Sequence, residues 1–306
     1  MNNIYDCLII GAGPSGIGCA LNLIKETSNI AIIEKSAPGG KVNIAPRVDN
    51  YPGEQKIPGP DLAYKFFERM NNAKVPFINE EVISLTKVDD LFNVITNKNT
   101  YVSKTVYLAS GTLERKLGLD KEDKLLGHGV SYCAICDGHF FVGENVLVCG
   151  GGNSALKEAI YLSNIVQHLY LIHRRNEFRG HENLVKELME KDNVTILTPY
   201  VPIEILGEDK VTGVLIKNVQ TEQLIEICVS GFFPLVGQIP STSFINIDNV
   251  KDEYNLVPVD NKHMTNCSGL FAGGDILPRE IRQIYLAEHD GIVSSKFILE
   301  YLNNGK

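Results

Sequence analysis

The sequence has no tryptophan, only 4 methionines and only 7 cysteines in 306 residues. The cysteines lie at 7, 19, 133, 136, 149, 228 and 267, an odd number with a single close pair, which excludes a disulfide-stapled secreted scaffold. A reducing, cytoplasmic setting with one special pair is the economical expectation. Basic excess is also missing: 29 Lys and Arg face 37 Asp and Glu, for a net charge of −8. That balance argues against a nucleic-acid partner, since the one dense basic cluster is three arginines near residue 175. Residues 1–6 carry no basic n-region, and the apolar run at 7–10 is too short for a secretory leader. A hydropathy scan would flag residues 7–24 as a membrane span. Four glycines, Pro14 and Ser15 interrupt that stretch in a spacing with a better explanation, so no membrane partner is expected.

What is present is a globular composition, 44% hydrophobic and 22% charged. At roughly 150 residues per domain it suggests about two domains. The first segment reads as strand (5–10), glycine turn (Gly11-Ala12-Gly13-Pro14-Ser15-Gly16), helix (17–24) and buried strand (30–33) ending in Glu34. The same grammar returns as strand (145–149), turn (Gly150-Gly151-Gly152-Asn153-Ser154-Ala155), helix (156–162) and strand (169–172) ending in His173-Arg174-Arg175. The interval from first glycine to strand-end residue is 23 in both units, 11 to 34 and 150 to 173. One Gly-x-Gly-x-x-Gly is weak evidence, but two copies in matching strand–helix–strand context predict two dinucleotide sites. Between them a helix is expected over 59–72, then a small antiparallel meander over 82–88, 91–97 and 100–108. A similar meander (201–206, 211–219, 224–229) follows the second unit, then a buried strand (269–272) and a long terminal helix (282–302).

The two turns predict different ligands. Gly11, Gly13 and Gly16, with Pro14 and Ser15, let a pyrophosphate approach a helix N-terminus. Glu34 stands where a carboxylate accepts a ribose 2′-hydroxyl and repels a 2′-phosphate, so FAD or NAD is expected. In the second unit Gly151, Gly152, Asn153 and Ser154 form the turn, and the acid is replaced by His173, Arg174 and Arg175, with Arg179 close behind. Guanidinium groups pair with phosphate oxygens, which predicts NADPH over NADH.

Cys133-Ala134-Ile135-Cys136-Asp137-Gly138 lies just before the second glycine unit. A Cys-x-x-Cys can be a redox dithiol, half of a zinc site completed here by His128 and His139, or two core cysteines. The histidines fall outside the usual finger spacings and there is no second pair, so the dithiol is favoured and no metal is expected. Asp137 is a candidate proton donor or acceptor, with a helix cap as the alternative role.

These blocks, together with Gly39-Gly40, Asn50-Tyr51-Pro52-Gly53, His-Arg-Arg-Asn-Glu-Phe-Arg (173–179), Phe-Ala-Gly-Gly-Asp (271–275) and Arg282-Gln283, resemble the low-molecular-weight, bacterial-type thioredoxin reductases. The similarity covers essentially the whole chain. It implies an α/β fold of two Rossmann-like domains of the disulfide-reductase flavoprotein type, the second inserted into the first. The FAD domain would comprise residues 1–114 plus 244–306, and the NADPH domain 115–243. Further FAD contacts implied are Gly40, Lys41, Asn50, Val82, Ser110, Gly111, Gly274, Asp275, Arg282, Gln283 and Ile284. The resemblance also implies a cytoplasmic homodimer, a thioredoxin or thioredoxin-like dithiol protein as partner, Cys136 facing the flavin and Cys133 in interchange. It implies rotation of the inserted domain about hinges near 113–116 and 241–244. Lys41 replaces the usual Gln, and Ser110 the usual Thr. Tyr285, Leu286 and His289 are bulkier than the family's small-residue helix start, and Glu288 and Asp290 would weaken a favourable helix dipole if they faced the flavin. The nearest alternatives are a flavoenzyme for another dithiol protein, a ferredoxin-linked variant and a small-molecule dithiol oxidase; a non-enzymatic zinc- or nucleotide-binding adaptor is the remote one.

Overall fold

A strand covered on both faces needs apolar residues at every position rather than at alternate ones. The second half of the first strand, β1 (Ile4–Ile10), meets that condition. Cys7 and Ile9 enter one core cluster, Leu8 and Ile10 another, and all four are buried. The computed structural model describes residues 4–45 and 47–304. The reading of residues 1–3 as free of a basic leader, and the outer limits of the expected FAD domain, lie outside the described residues.

After β1 come α1 (Pro14–Leu23), β2 (Ile30–Glu34), α2 (Gly59–Asn72), β3 (Phe77–Asn79), β4 (Val82–Val88), β5 (Leu91–Thr96), β6 (Thr100–Leu108) and β7 (Thr112–Glu114). Next are α3 (Ala134–Asp137), β8 (Asn145–Cys149), α4 (Asn153–Ser163), β9 (His168–Ile172), α5 (Glu182–Met189) and β10 (Val194–Leu197). β11 (Tyr200–Leu206), β12 (Gly213–Asn218), β13 (Leu224–Ile227), β14 (Gly231–Pro234), β15 (Gln238–Pro240), β16 (Leu270–Ala272) and α6 (Ile284–Asn304) complete the order. The chain divides into two compact units, one of Met1–Leu113 with Pro240–Lys306, the other of Glu114–Ile239.

In the first unit the sheet order is β3-β2-β1-β6-β5-β4. Here the structure departs from a separate meander. β6 pairs parallel with β1 along one edge, Ile10 opposite Leu108, so the meander is fused to the main sheet. Its other edge serves β5 antiparallel over residues 100–103 and β16 parallel over 106–108. The reason is visible in β6 itself: Thr105–Leu108 is buried at every position, the pattern of a strand with no solvent face. On one side of the sheet α1 and α6 pack at close range. A Cβ on Gly291 would lie 2.0 Å from the Ser15 carbonyl oxygen, so only glycine lets α6 approach α1 there.

The second unit is built on a parallel sheet, β10-β9-β8-β14. Val146 and Val148 of β8 join the cluster that includes Leu156, Ala159 and Leu162 of α4. Leu147 and Cys149 join the cluster that includes Ile205, Val214 and Ile216 of β11 and β12. β11-β12-β13 stand as their own antiparallel sheet, as the second meander's pattern indicated. Residues 129–131 ride on the outer edge of β14: Phe232 N–H donates to Gly129 O at 2.7 Å, and Ser131 N–H to Phe232 O at 3.0 Å. That edge holds the segment that leads into Cys133.

Candidate functional site

In the first unit the glycine turn sits where β1 gives way to α1. A Cβ at Gly11 (φ +107°) would meet Ala109 O at 2.3 Å, and one at Gly16 would meet Gly11 O at 1.9 Å. Gly13 faces open space, with nothing within 4 Å. The outer glycines therefore serve chain packing, and the middle one leaves room for a ligand over the uncapped start of α1, where Pro14 needs no partner for an amide it lacks. The Ser15 hydroxyl is turned inward, 2.6 Å from the Tyr107 hydroxyl, so Ser15 offers a ligand its amide. Glu34 ends β2 with Oε2 accepting from Ala12 N–H and Oε1 from Ser36 N–H, both at 2.9 Å. The carboxylate is thereby fixed beside the turn, placed for ribose hydroxyls.

Around this turn gather most of the other expected FAD residues. Gly40 (φ +57°) lies so close to the turn that a Cβ would be 3.2 Å from Gly13 Cα. Lys41 donates to Thr112 Oγ1 at 2.8 Å and stands 3.8 Å from Asp275 Oδ2. Asn50 donates to Gln283 Oε1 at 2.8 Å, and Arg282 Nε to Asp275 O at 3.1 Å. Gly111 (φ +67°) faces open space, and the buried Ser110 Oγ has no hydrogen-bond partner among the described residues. An unpartnered buried hydroxyl beside an open glycine fits a polar ligand edge. Ile284 begins α6, two residues later than the expected helix start. Val82 opens β4 opposite Thr96.

The two acidic residues of α6 are already engaged. Asp290 is buried, accepts from Gly274 N–H at 2.7 Å and is paired with Arg279. Glu288 accepts from the Tyr51 hydroxyl and pairs with Arg69 at 3.1 Å. Burial, reinforced by the Glu288 carboxylate, raises the Tyr51 phenol well above its ordinary range, so it stays a donor. Both charges are thus neutralised locally by a cation. Asp290 anchors the Gly274-Asp275 turn, and Glu288 fastens the Asn50-Tyr51 loop to α6. Neither anchor, nor the Tyr107–Ser15 bond, was legible beforehand; the only signal was the unusual composition of residues 285–290.

In the second unit a Cβ on Gly150 would meet Leu235 O at 2.5 Å, and one on Gly151 the His173 ring at 2.4 Å. Gly152, which precedes α4, faces open space. Gly151 O accepts from Arg179 N–H (2.9 Å) and Gly180 N–H (3.0 Å), and Asn153 Oδ1 accepts from His181 N–H (2.8 Å). These bonds lace the 179–181 loop to the turn and bring Arg179 beside it. Arg174 and Arg175 leave the end of β9. All three arginines are exposed, and Ser154 is exposed in the first turn of α4. His173 is different: it is buried and stacked on Phe178, and its Nε2 has no partner among the described residues. Burial, then the nearby Arg179, Arg174 and Arg175, push its imidazole below the ordinary value. Positive charge at this strand end therefore comes from the guanidinium groups.

Cys133 and Cys136 form a disulfide, with Cα atoms 5.3 Å apart. Cys133 caps α3, its Sγ accepting from Cys136 N–H at 3.2 Å, a contact that favours a Cys133 thiolate once the bond is reduced. Asp137 ends α3 and stands at the N-cap of the 3-10 turn Gly138–Phe141 that follows, but its side chain makes no capping hydrogen bond there. The Asp137 carboxyl is buried, accepts from Ser131 O–H at 2.6 Å, and has a second oxygen without a partner among the described residues. Burial raises it above the usual carboxyl range. Ser131 Oγ in turn accepts from Cys133 N–H at 3.1 Å, linking Asp137 to the pair. Each sulfur is bonded to the other and the His139 ring packs on Phe140, an arrangement of a redox pair rather than half a zinc site. Elsewhere burial pushes the Cys7 and Cys149 thiols up to about 12, which makes them poor nucleophiles.

The sequence pattern of the pyridine nucleotide-disulphide oxidoreductases matches residues 5–291. A thioredoxin reductase of Mycoplasma pneumoniae is 39% identical over 301 residues, covering 98% of this chain and 96% of its own length. That of Ureaplasma parvum is 34% identical over 302 residues, covering 98% and 97%. The crystal structure of thioredoxin reductase from Streptococcus pyogenes has a TM-score of 0.93 at 37% identity, covering 99% of this chain and 100% of that one. With the disulfide and both glycine turns in place, this chain belongs to the pyridine nucleotide-disulphide oxidoreductases and, within them, to the thioredoxin reductases.

Proposed function

We infer that this enzyme carries electrons from NADPH through FAD to the Cys133–Cys136 pair and on to the disulfide of thioredoxin or a thioredoxin-like protein. The observation that carries the reading is the disulfide bridging Cys133 and Cys136 in the unit that also holds the arginine-flanked glycine turn. When bound, FAD would supply the two-electron chemistry that links a nicotinamide to a disulfide. Around Gly13 the open space and the fixed Glu34 carboxylate suit its pyrophosphate and ribose. Gly40, Lys41, Asn50, Val82, Ser110, Gly111, Gly274, Asp275, Arg282, Gln283 and Ile284 are assigned to the rest of the same ligand. Arg174, Arg175 and Arg179 are assigned to the NADPH 2′-phosphate, and Gly151, Gly152, Asn153 and Ser154 to its pyrophosphate.

Two electrons and one proton convert the Cys133–Cys136 bond to a thiolate on Cys133 and a thiol on Cys136. The Cys133 thiolate attacks one sulfur of the partner disulfide, forming a mixed disulfide and expelling a partner thiolate. Cys136, deprotonated, attacks Cys133 Sγ, expels the second partner thiolate and restores the internal bond. Asp137 is assigned to take the Cys136 proton and return it to a departing thiolate; its raised affinity for a proton suits that work. Asp137→Asn should therefore lower thioredoxin turnover about 10²–10⁴-fold. Stopped-flow absorbance should show NADPH still reducing the flavin at its normal rate.

The deciding assay is NADPH oxidation by the purified yellow protein with and without thioredoxin. Thioredoxin-dependent oxidation supports the reading, and a flavin that NADPH fails to bleach but reduced ferredoxin does would overturn the donor. A cytoplasmic homodimer belongs to the same proposal, on the strength of family membership; sedimentation equilibrium at twice the chain mass is the expected result. Among the described residues no helix is long and apolar enough to cross a membrane. Rotation of the inserted unit about residues 113–116 and 241–244 is also proposed, because the dithiol must serve both a flavin and a protein substrate. An engineered covalent link between the units should stop turnover, and unimpaired turnover would refute the rotation.

A further inference from the structure

Glu158 lies on α4 and takes no part in the chemistry above. Its Oε2 accepts from Ala134 N–H at 2.6 Å. Ala134 is the residue directly after Cys133, is fully buried, and opens the four-residue helix that carries the pair. Of the amides in that helix, Cys136 N–H is spent on Cys133 Sγ and Ala134 N–H on Glu158. Asp137 has its own partner in Ser131. A carboxyl group thus stands at each end of the four-residue helix, Glu158 on the Ala134 amide and Asp137 at the last position, and Glu158 belongs to an eleven-residue helix.

We propose that Glu158 is a positioning residue for the dithiol, bracing the Cys133 end of α3 through the Ala134 amide and coupling that brace to its own protonation. The coupling follows from charge. When the pair is reduced, the Glu158 carboxylate is bonded to the amide of the residue that follows Cys133, so it and a Cys133 thiolate repel and each disfavours ionisation of the other. Burial, with Glu114 of β7 adding to it and the Ala134 amide opposing it, pushes the Glu158 carboxyl up to about 7. The charged groups to be reckoned with are therefore Glu114 on β7 and Asp137 on α3 itself. While Glu158 is neutral, Cys133 ionises without that repulsion; as Glu158 loses its proton around neutrality, its carboxylate holds the thiol back.

The proposal rests on the dithiol reading, and its test is read without thioredoxin or turnover, so the two fail separately. Full-length, flavin-bound Cys136→Ser protein is alkylated with iodoacetamide over pH 5.5–9, and modification of Cys133 is followed by peptide mass (the pH range is chosen to bracket about one unit and more around neutrality). Its rate profile should carry an inflection near neutrality besides that of the thiol. Adding Glu158→Gln, which keeps an acceptor for Ala134 but loses the charge, should remove the inflection. The rate at pH 6 should stay the same, and at pH 8 it should rise about three- to tenfold. Amide exchange of residues 133–137 should remain slow in Glu158→Gln and quicken in Glu158→Ala. An unchanged alkylation profile in Glu158→Gln overturns the coupling, and unchanged exchange in Glu158→Ala overturns the brace.

Discussion

Replacing either cysteine of the pair is expected to abolish reduction of a protein disulfide while NADPH still bleaches the flavin. The two variants should differ in what they trap. Cys136→Ser keeps the half-buried Cys133, whose Sγ is held by the Cys136-position amide, so it retains the attacking thiolate but has no resolving one. With a thioredoxin that lacks its own resolving cysteine and carries thionitrobenzoate on the remaining one, it should displace thionitrobenzoate and form a stable mixed disulfide, seen as a reducible band on a non-reducing gel. Cys133→Ser retains the thiol assigned to face the flavin and should trap nothing. Other thiols do not confuse the result, because Cys7, Cys19 and Cys149 are buried, and the exposed Cys228 and half-buried Cys267 remain in both variants as internal controls. Near wild-type turnover by either single variant would refute the dithiol mechanism, and trapping by Cys133→Ser alone would reverse the two roles.

A second large effect is expected for Arg174→Ala with Arg175→Ala. A charge-assisted hydrogen bond is worth about 1.5–3 kcal/mol, and about 1.4 kcal/mol is tenfold in affinity. Both side chains are exposed, so solvent screening places each near the bottom of that range. The NADPH KM should still rise at least about tenfold. NADH has no 2′-phosphate, and its KM should hardly move. The His173 ring sits beneath Gly151 and is pushed towards its neutral form, so replacing it should disturb the turn for both nucleotides alike. Equal losses for NADPH and NADH in the double arginine variant would show that these residues do not read the 2′-phosphate. Raising the salt concentration should weaken NADPH binding in the wild type and less so in the variant.

Local patterns reach as far as the local chain. Each strand–glycine turn–helix unit was legible because its signals lie within a few residues: an unbroken apolar run, small residues in the turn, and helical spacing after it. The opposite strand-end chemistries, Glu34 and Arg174-Arg175, could be read for the same reason. Cys133 and Cys136, three residues apart, announced themselves by spacing alone.

Partners across the fold had no such signal. Nothing in the run Gly231–Pro234 says that its outer edge will hold residues 129–131 in front of the dithiol, because that pairing spans a hundred residues of chain. β6 looked like the last strand of a meander, yet its second half is the parallel neighbour of both β1 and β16. Gly291 is an ordinary helix residue until α6 meets Ser15 of α1 at a distance that no Cβ survives. Asp290 and Glu288 looked like charges that would oppose a bound anion, and Arg279 and Arg69 neutralise them. Glu158 carries no local signal of a role; α3 has to pack against α4 to bring the Ala134 amide to it. The sequence by itself determined which local elements form and which chemical groups they carry, since propensity and periodicity act between near neighbours. Only the tertiary structure decided which groups are desolvated and paired, because burial and long-range contact depend on surfaces that the whole chain assembles at once.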